Sequence, residues 1–261
     1  MRILVVEQNL LPVLSQNFSS SLSDAKNNMT KNILLILALL FSVNSFAQQK
    51  FFRMYTDSTA LIHDANYIVA DFTKKVNAIS PVFTSRPTAI LNTKPFLIFY
   101  SSKSNTVNLP IWRQVIPEQK KFFQSLAGNE QNGQEIFGLF FNGFYLPHEL
   151  GHALQKAANK SEGNLYQNEY FANIVAVLYW REVKRTNELH QCYEYANQIV
   201  RQLPNPVPEG EDPIKYFNEH YEELGADPYK YGYFQFAQFK KIYEDKSLKS
   251  FDEFINAYLI K

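Results

Sequence analysis

The sequence predicts an α+β domain, a small N-terminal sheet packed on a mostly helical C-terminal part with a cleft between them. Short β-branched and aromatic runs bounded by Pro, Asn and Ser lie between about residues 90 and 109, whereas helical periodicity with clear caps fills most of the chain after Pro117. A hydrophobic content of 46% with 15% aromatic residues belongs to a chain that buries a core. Formal net charge is +1 without a long basic block, so composition calls for no nucleic-acid partner.

Residues 1–28 carry Glu7 and Asp24 and make a poor leader, so they read as an upstream extension of the gene model, with Met29 as the natural start. Residues 29–47 begin with Lys31, continue through the apolar run Ile33 to Leu40 and end on small Ser45 and Ala47. This is the pattern of a secretory signal cleaved before Gln48, too short to stay as a membrane anchor. Export implies a secreted or periplasmic protein. Cys192 is alone, which excludes an intrachain disulfide and fits a bacterial envelope. The 214 residues that remain (261 − 47) suffice for one domain, 48–261, with residues 48–133 as the sheet part and 134–261 as the helical metal-binding part.

Asp57 to Ile79 reads as a helix with Asp57 or Ser58 as cap and Leu61, Ile62, Ile68, Val69 and Phe72 on one side. Ile90-Leu91 and Phe96 to Tyr100 read as strands, and Thr106 to Leu109 as an edge strand ended by Pro110. Pro117 opens a helix that Gly128-Asn129 ends. From about Gln134 to Ala158 the pattern is helical, with Pro147 either starting a helix or kinking a longer one. A further helix starts near Leu165, another covers Arg185 to Leu203, and Pro204, Pro206 and Pro208 stiffen the loop after it. Asp212-Pro213 caps a helix running to Gly225, Asp227-Pro228 caps the next, and Ser250 with Glu253 forms a capping box for the last.

The chemistry sits in His148-Glu149-Leu150-Gly151-His152. Residues four apart on a helix are separated by about 40° and roughly 6 Å of rise, so both imidazoles reach one ion. Glu149 then lies beside the ion, placed to take a proton from water, the zinc-protease reading of His-Glu-x-x-His. A catalytic zinc has three protein ligands, and Glu169 is the best third donor. If the first helix ends near Ala158 and the polar turn 159–164 reverses the chain, Glu169 lies four residues into the returning helix, within a turn of the level of His152. Asn173, one turn further on, accepts from the outer nitrogen of a ligand histidine.

His148-Glu149-x-x-His152 followed by Asn168-Glu169-x-x-Ala172-Asn173 resembles the gluzincin pattern of thermolysin-like metallopeptidases, over about residues 140 to 180. The resemblance implies a zinc-dependent peptidase acting on a peptide or protein substrate, with an edge strand over the active-site helix that pairs with extended substrate. Two features depart from it: the interval of 17 residues from His152 to Glu169 (169 − 152) is short, and Asn173 stands where an acidic residue is common. Such chemistry also needs a donor for the developing oxyanion. His220, Tyr233 and Tyr231 are the candidates, with His220 and Tyr233 slightly ahead of Tyr231. His63 and His190 read as surface or packing residues, Cys192 as a buried small residue. A different class of reading is a zinc-binding envelope protein that holds a peptide or partner without cutting it.

Overall fold

Asp57 opens the first long helix as its position predicts, its carboxylate accepting from the Thr59 N–H. Helix α1 (Ser58–Ile79) turns Leu61, Ala65, Ile68, Val69, Phe72 and Val76 inward at helical spacing. The structure, a computed structural model, describes residues 51–94, 97–161 and 163–260. The signal sequence and upstream extension read from residues 1–47 lie outside the described residues. Among the described residues no helix is long and apolar enough to cross a membrane.

The fold is α+β and mostly helical. Its small sheet comprises β1 (Thr88–Leu91), β2 (Phe99–Ser101) and β3 (Thr106–Leu109) in the order β1-β3-β2. β3 pairs parallel with β1 and antiparallel with β2. The expectation that Thr106–Leu109 forms an edge is therefore corrected: β3 is the central strand, with Val107 and Leu109 fully buried. Pro110 ends the strand as expected, and because it lies one residue beyond β3 it deprives the ladder of nothing and leaves both sides of the strand able to pair. The true edges are β1 and β2, and the second strand begins later than the run from Phe96 suggests.

Pro117 opens α2 (Pro117–Ala127), which ends at Gly128 with a left-handed φ of 81°. The Asn129 side chain then caps α3 (Glu130–Leu139). The helical pattern expected from Gln134 to Ala158 is broken by a π turn, Phe140–Phe144, in which Asn142 leaves helical geometry at φ −109°, ψ 25°. Helix α4 (Tyr145–Ala157) follows, with Pro147 in its first turn. The Gly143 carbonyl, to which Pro147 has no N–H to donate, accepts from Tyr145 instead.

The chain reverses into α5 (Leu165–Glu182), capped by Asn164, and α6 (Thr186–Gln202) follows. The helix expected from Pro213 to Gly225 is two: α7 (Pro213–Glu219) and α8 (Tyr221–Ala226), separated at His220, whose φ of −112° and ψ of 17° interrupt the helical run. Asp227 caps α9 (Pro228–Glu244). The last helix is α10 (Phe251–Ile260), at whose start the Ser250 N–H donates to Glu253 and the Glu253 N–H to Ser250, a complete capping box. A main core joins the sheet to most of the helices, and a smaller one of Phe217, Leu224 and Phe234 sits under α7 and α8.

Candidate metal centre

Helices α4 and α5 approach closely because Gly151 has no side chain. A Cβ built there would lie 2.9 Å from Ala172 Cα and 3.2 Å from Ala172 Cβ, so the two small residues of the paired motifs touch across the interface. That contact brings Glu169 level with the histidines. His148 Nε2 lies 3.2 Å from His152 Nε2 and 3.3 Å from Glu169 Oε2, and His152 Nε2 is 3.6 Å from Glu169 Oε1. Donors about 2.0–2.1 Å from a tetrahedral zinc stand about 3.3 Å apart, so the spacing fits such an ion. His148, His152 and Glu169 form the group of three donors that could hold a metal ion among the described residues.

Hydrogen bonding fixes which atoms face inward. His148 Nδ1 is 2.9 Å from Asn173 Oδ1, and His152 Nδ1 is 3.0 Å from Gln155 Oε1. Asn173 spends its amide nitrogen on Gln235 and Gln238, and Gln155 spends its own on Asn168, so both amides turn oxygen towards a ring. Each ring must then donate from Nδ1, which leaves both Nε2 lone pairs and the Glu169 carboxylate facing one another. Three acceptors converging in a buried place need a proton or a cation between them. Gln235 Nε2 also donates to Glu169 Oε2 at 2.8 Å, holding the carboxylate in place.

The electrostatics agree. Burial works against the Glu169 charge, yet His152 and then His148 hold this carboxyl well below its usual range. Burial likewise opposes charge on His152, but Glu169, with help from Glu149 and Gln155, raises it to about 9. Without a cation, the pair captures a proton in the place a metal would take.

Glu149 is 6% exposed and points at the sheet, where its Oε2 accepts from the Tyr100 N–H of β2 at 2.8 Å. Burial pushes the Glu149 carboxyl up; His148 and His152 pull it back, Glu169 pushes it up again, and the Tyr100 N–H lowers it. Such an opposed balance is the setting of a general base. The Tyr145 ring packs edge-on against His148, with centroids 5.4 Å apart.

The expected oxyanion donors are placed differently from one another. His220 faces Glu223 at 3.5 Å and stacks on Tyr216, and Tyr233 packs its ring edge on Phe234. Neither is brought against the donor cluster by these contacts. The third candidate, Tyr231, lies beside Tyr221 within reach of the charges of Glu169 and Glu149, and Tyr221 itself donates to Glu169 Oε1 at 3.4 Å. Burial first, and Glu169 next, push both hydroxyls well above the usual range, so both stay protonated. Sequence reasoning missed Tyr221, Gln155 and Gln235. One signal was available: Tyr231, Gln235 and Gln238 stand at i, i+4 and i+7 and share a face of α9. His63 pairs with Asp64, His190 stacks on Tyr193 and Tyr243, and Cys192 is buried. No protein-family model, no curated protein and no solved structure matches this chain.

Proposed function

We propose that this protein is a secreted zinc-dependent peptidase of gluzincin type, with His148, His152 and Glu169 as ligands and Glu149 as general base. The observation that carries the reading is the position of Glu149: a buried carboxylate, held by a strand N–H, directly beside three converging acceptors. Zinc bound there would supply a Lewis acid that acidifies water and polarises a substrate carbonyl. Glu149 takes a proton from the attacking water and returns it to the departing amine nitrogen, so that the C–N bond breaks without a covalent enzyme intermediate. Tyr221 and Tyr231, kept protonated, are the hydroxyls that support the oxyanion in this scheme, replacing His220 and Tyr233 as the leading candidates. The outer edge of β2, where Glu149 takes the Tyr100 N–H, is where an extended peptide would add in the strand-addition mode. Export, with cleavage before Gln48, rests on the residues of the leader alone.

Digestion of a diverse peptide library by zinc-loaded protein, beside a Glu149→Gln control, tests the proposal. Cleavage that disappears with Glu149 supports it. Zinc uptake without cleavage by the wild type would instead favour a non-hydrolytic peptide-binding protein.

A further inference from the structure

Ahead of α1 the chain makes a short, unusual excursion. Phe51 and Phe52 both take left-handed backbone, at φ 79° and 59°, a conformation costly for bulky side chains, and both are buried. Such geometry persists only where the surroundings demand it, and here they demand it on two sides. The Phe52 N–H donates to the Asn142 carbonyl in the π turn, the Tyr55 N–H reaches Asn142 Oδ1, and Asn142 Nδ2 donates to the Pro110 carbonyl. On the other side the rings of Phe51 and Phe52 lie 6.0 and 4.6 Å from that of Trp180, in the C-terminal half of α5. Two glycines make the fit possible. A Cβ on Gly138 would stand 2.4 Å from Met54 N, and one on Gly143 2.6 Å from Phe52 Cδ1 and 3.1 Å from Phe52 Cα.

The π turn leads directly into the helix that holds His148 and His152, and Trp180 belongs to the helix that holds Glu169. We infer that residues 51–55 are a positioning wedge that sets the placement of α4 against α5, and through it the metal affinity of the site. Because affinity is its first readout, this role rests on the proposed metal centre. The segment touches none of the donors; it acts through the backbone of one helix and the indole of the other. Donors that must meet within a few tenths of an ångström are sensitive to a helix shift far too small to unfold the protein.

Gly143→Ala is the direct test, since the added methyl must displace Phe52 or the π turn. Asn142→Ala is the gentler second variant, and Val76→Ala, in the core of α1, is a control that lowers stability away from the wedge. Zinc dissociation constants would be measured by chelator competition well below every melting temperature. Amide exchange across residues 145–157 would be followed in the metal-free proteins. Both wedge variants should bind zinc roughly ten- to a hundredfold more weakly, and exchange faster in α4 than Val76→Ala at matched global stability. Zinc affinity within about twofold of wild type together with exchange matching the control would overturn the wedge. A wild type that takes up no zinc would instead overturn the metal centre, and α4 exchange would then decide the wedge by itself.

Discussion

The two edges of the sheet are finished in opposite ways. At β1 the side chain of Asn66 behaves as a strand one residue long: its Nδ2 donates to the Ala89 carbonyl at 3.1 Å and its Oδ1 accepts from the Ala89 N–H at 3.0 Å. An outward-facing peptide group there is closed from within the molecule, as edges liable to pair with other chains need to be. At β2 the outward N–H of Tyr100 goes to Glu149, a carboxylate beside the candidate metal donors. One edge is closed by a neutral amide, which also donates to the Ile62 carbonyl of its own helix, the other by a titratable group. A sheet of three short strands thus has one side that packs on a helix and one that borders the candidate metal donors.

Removing the carboxylate at the β2 edge should have the largest effect. Glu149→Gln keeps shape and accepts the same Tyr100 hydrogen bond, so it should fold and bind zinc while peptide hydrolysis falls by about two orders of magnitude or more. Steady-state turnover with metal analysis checks this, and unchanged hydrolysis would remove Glu149 from the mechanism. Tyr100→Pro deletes the N–H while leaving an imino acid where an edge strand tolerates one. Turnover should drop by roughly tenfold or more, as loss of a hydrogen bond to a charged group implies; full activity would show that Glu149 needs no anchor on the sheet.

The opposite edge should respond only in stability. Asn66→Ala leaves the N–H and carbonyl of Ala89, 1% exposed, without their partner, and should cost about 1–3 kcal/mol in denaturant unfolding. Zinc affinity should be unchanged, so any loss of metal in this variant would erase the contrast between the edges. The smallest effect is a pH dependence of the metal-free protein. His152 is raised to about 9 from an ordinary value of 6.5, so its pairing with Glu169 contributes fully below 6.5 and is lost as pH rises through 9. Glu169 is lowered from 4.5, so its share is present above 4.5 and lost as pH falls. The metal-free melting temperature should therefore be highest between these values and decline towards pH 9. Asn66→Ala should follow the same profile at lower temperatures, because nothing that titrates closes the β1 edge; a profile that rises from pH 6.5 to 9 would contradict the assigned pairing.

What the sequence made legible followed from spacing along one or two helices. His148, His152, Glu169 and Asn173 are tied together by a four-residue repeat and one short reversal, and Gly151 marks where α4 and α5 touch. Strand order was not legible, because Thr106–Leu109 is four residues whose lateral neighbours are chosen by packing. The same holds for Gln235 on Glu169, a partnership 66 residues apart. His220 was misplaced because a cap at Asp212 and a glycine at 225 look alike whether one helix or two lie between them. Tyr233 was ranked above Tyr231 without phasing α9, although two residues turn a helix by about 200° and only Tyr231 shares the face of Gln235.

The π turn before α4 has a consequence for how the length of this chain can vary. A π turn amounts to one residue more than an α-helix requires, so deleting one residue between Phe140 and Phe144 would let α3 and α4 run on as a single regular helix. Such a helix would remain apolar enough to pack, and because the π turn absorbs its extra residue, α4 would keep about the same direction around its axis while losing the backbone bend at Asn142 that accepts from Phe52. One residue added or removed within the regular helix between Tyr145 and His148 would instead turn the histidines by about 100° and carry both away from Glu169, with every donor still present in the sequence. The chain can therefore change length by one residue at the π turn with less harm to the donors than in the helix after it, and the count of residues that belongs to the motif begins after Phe144.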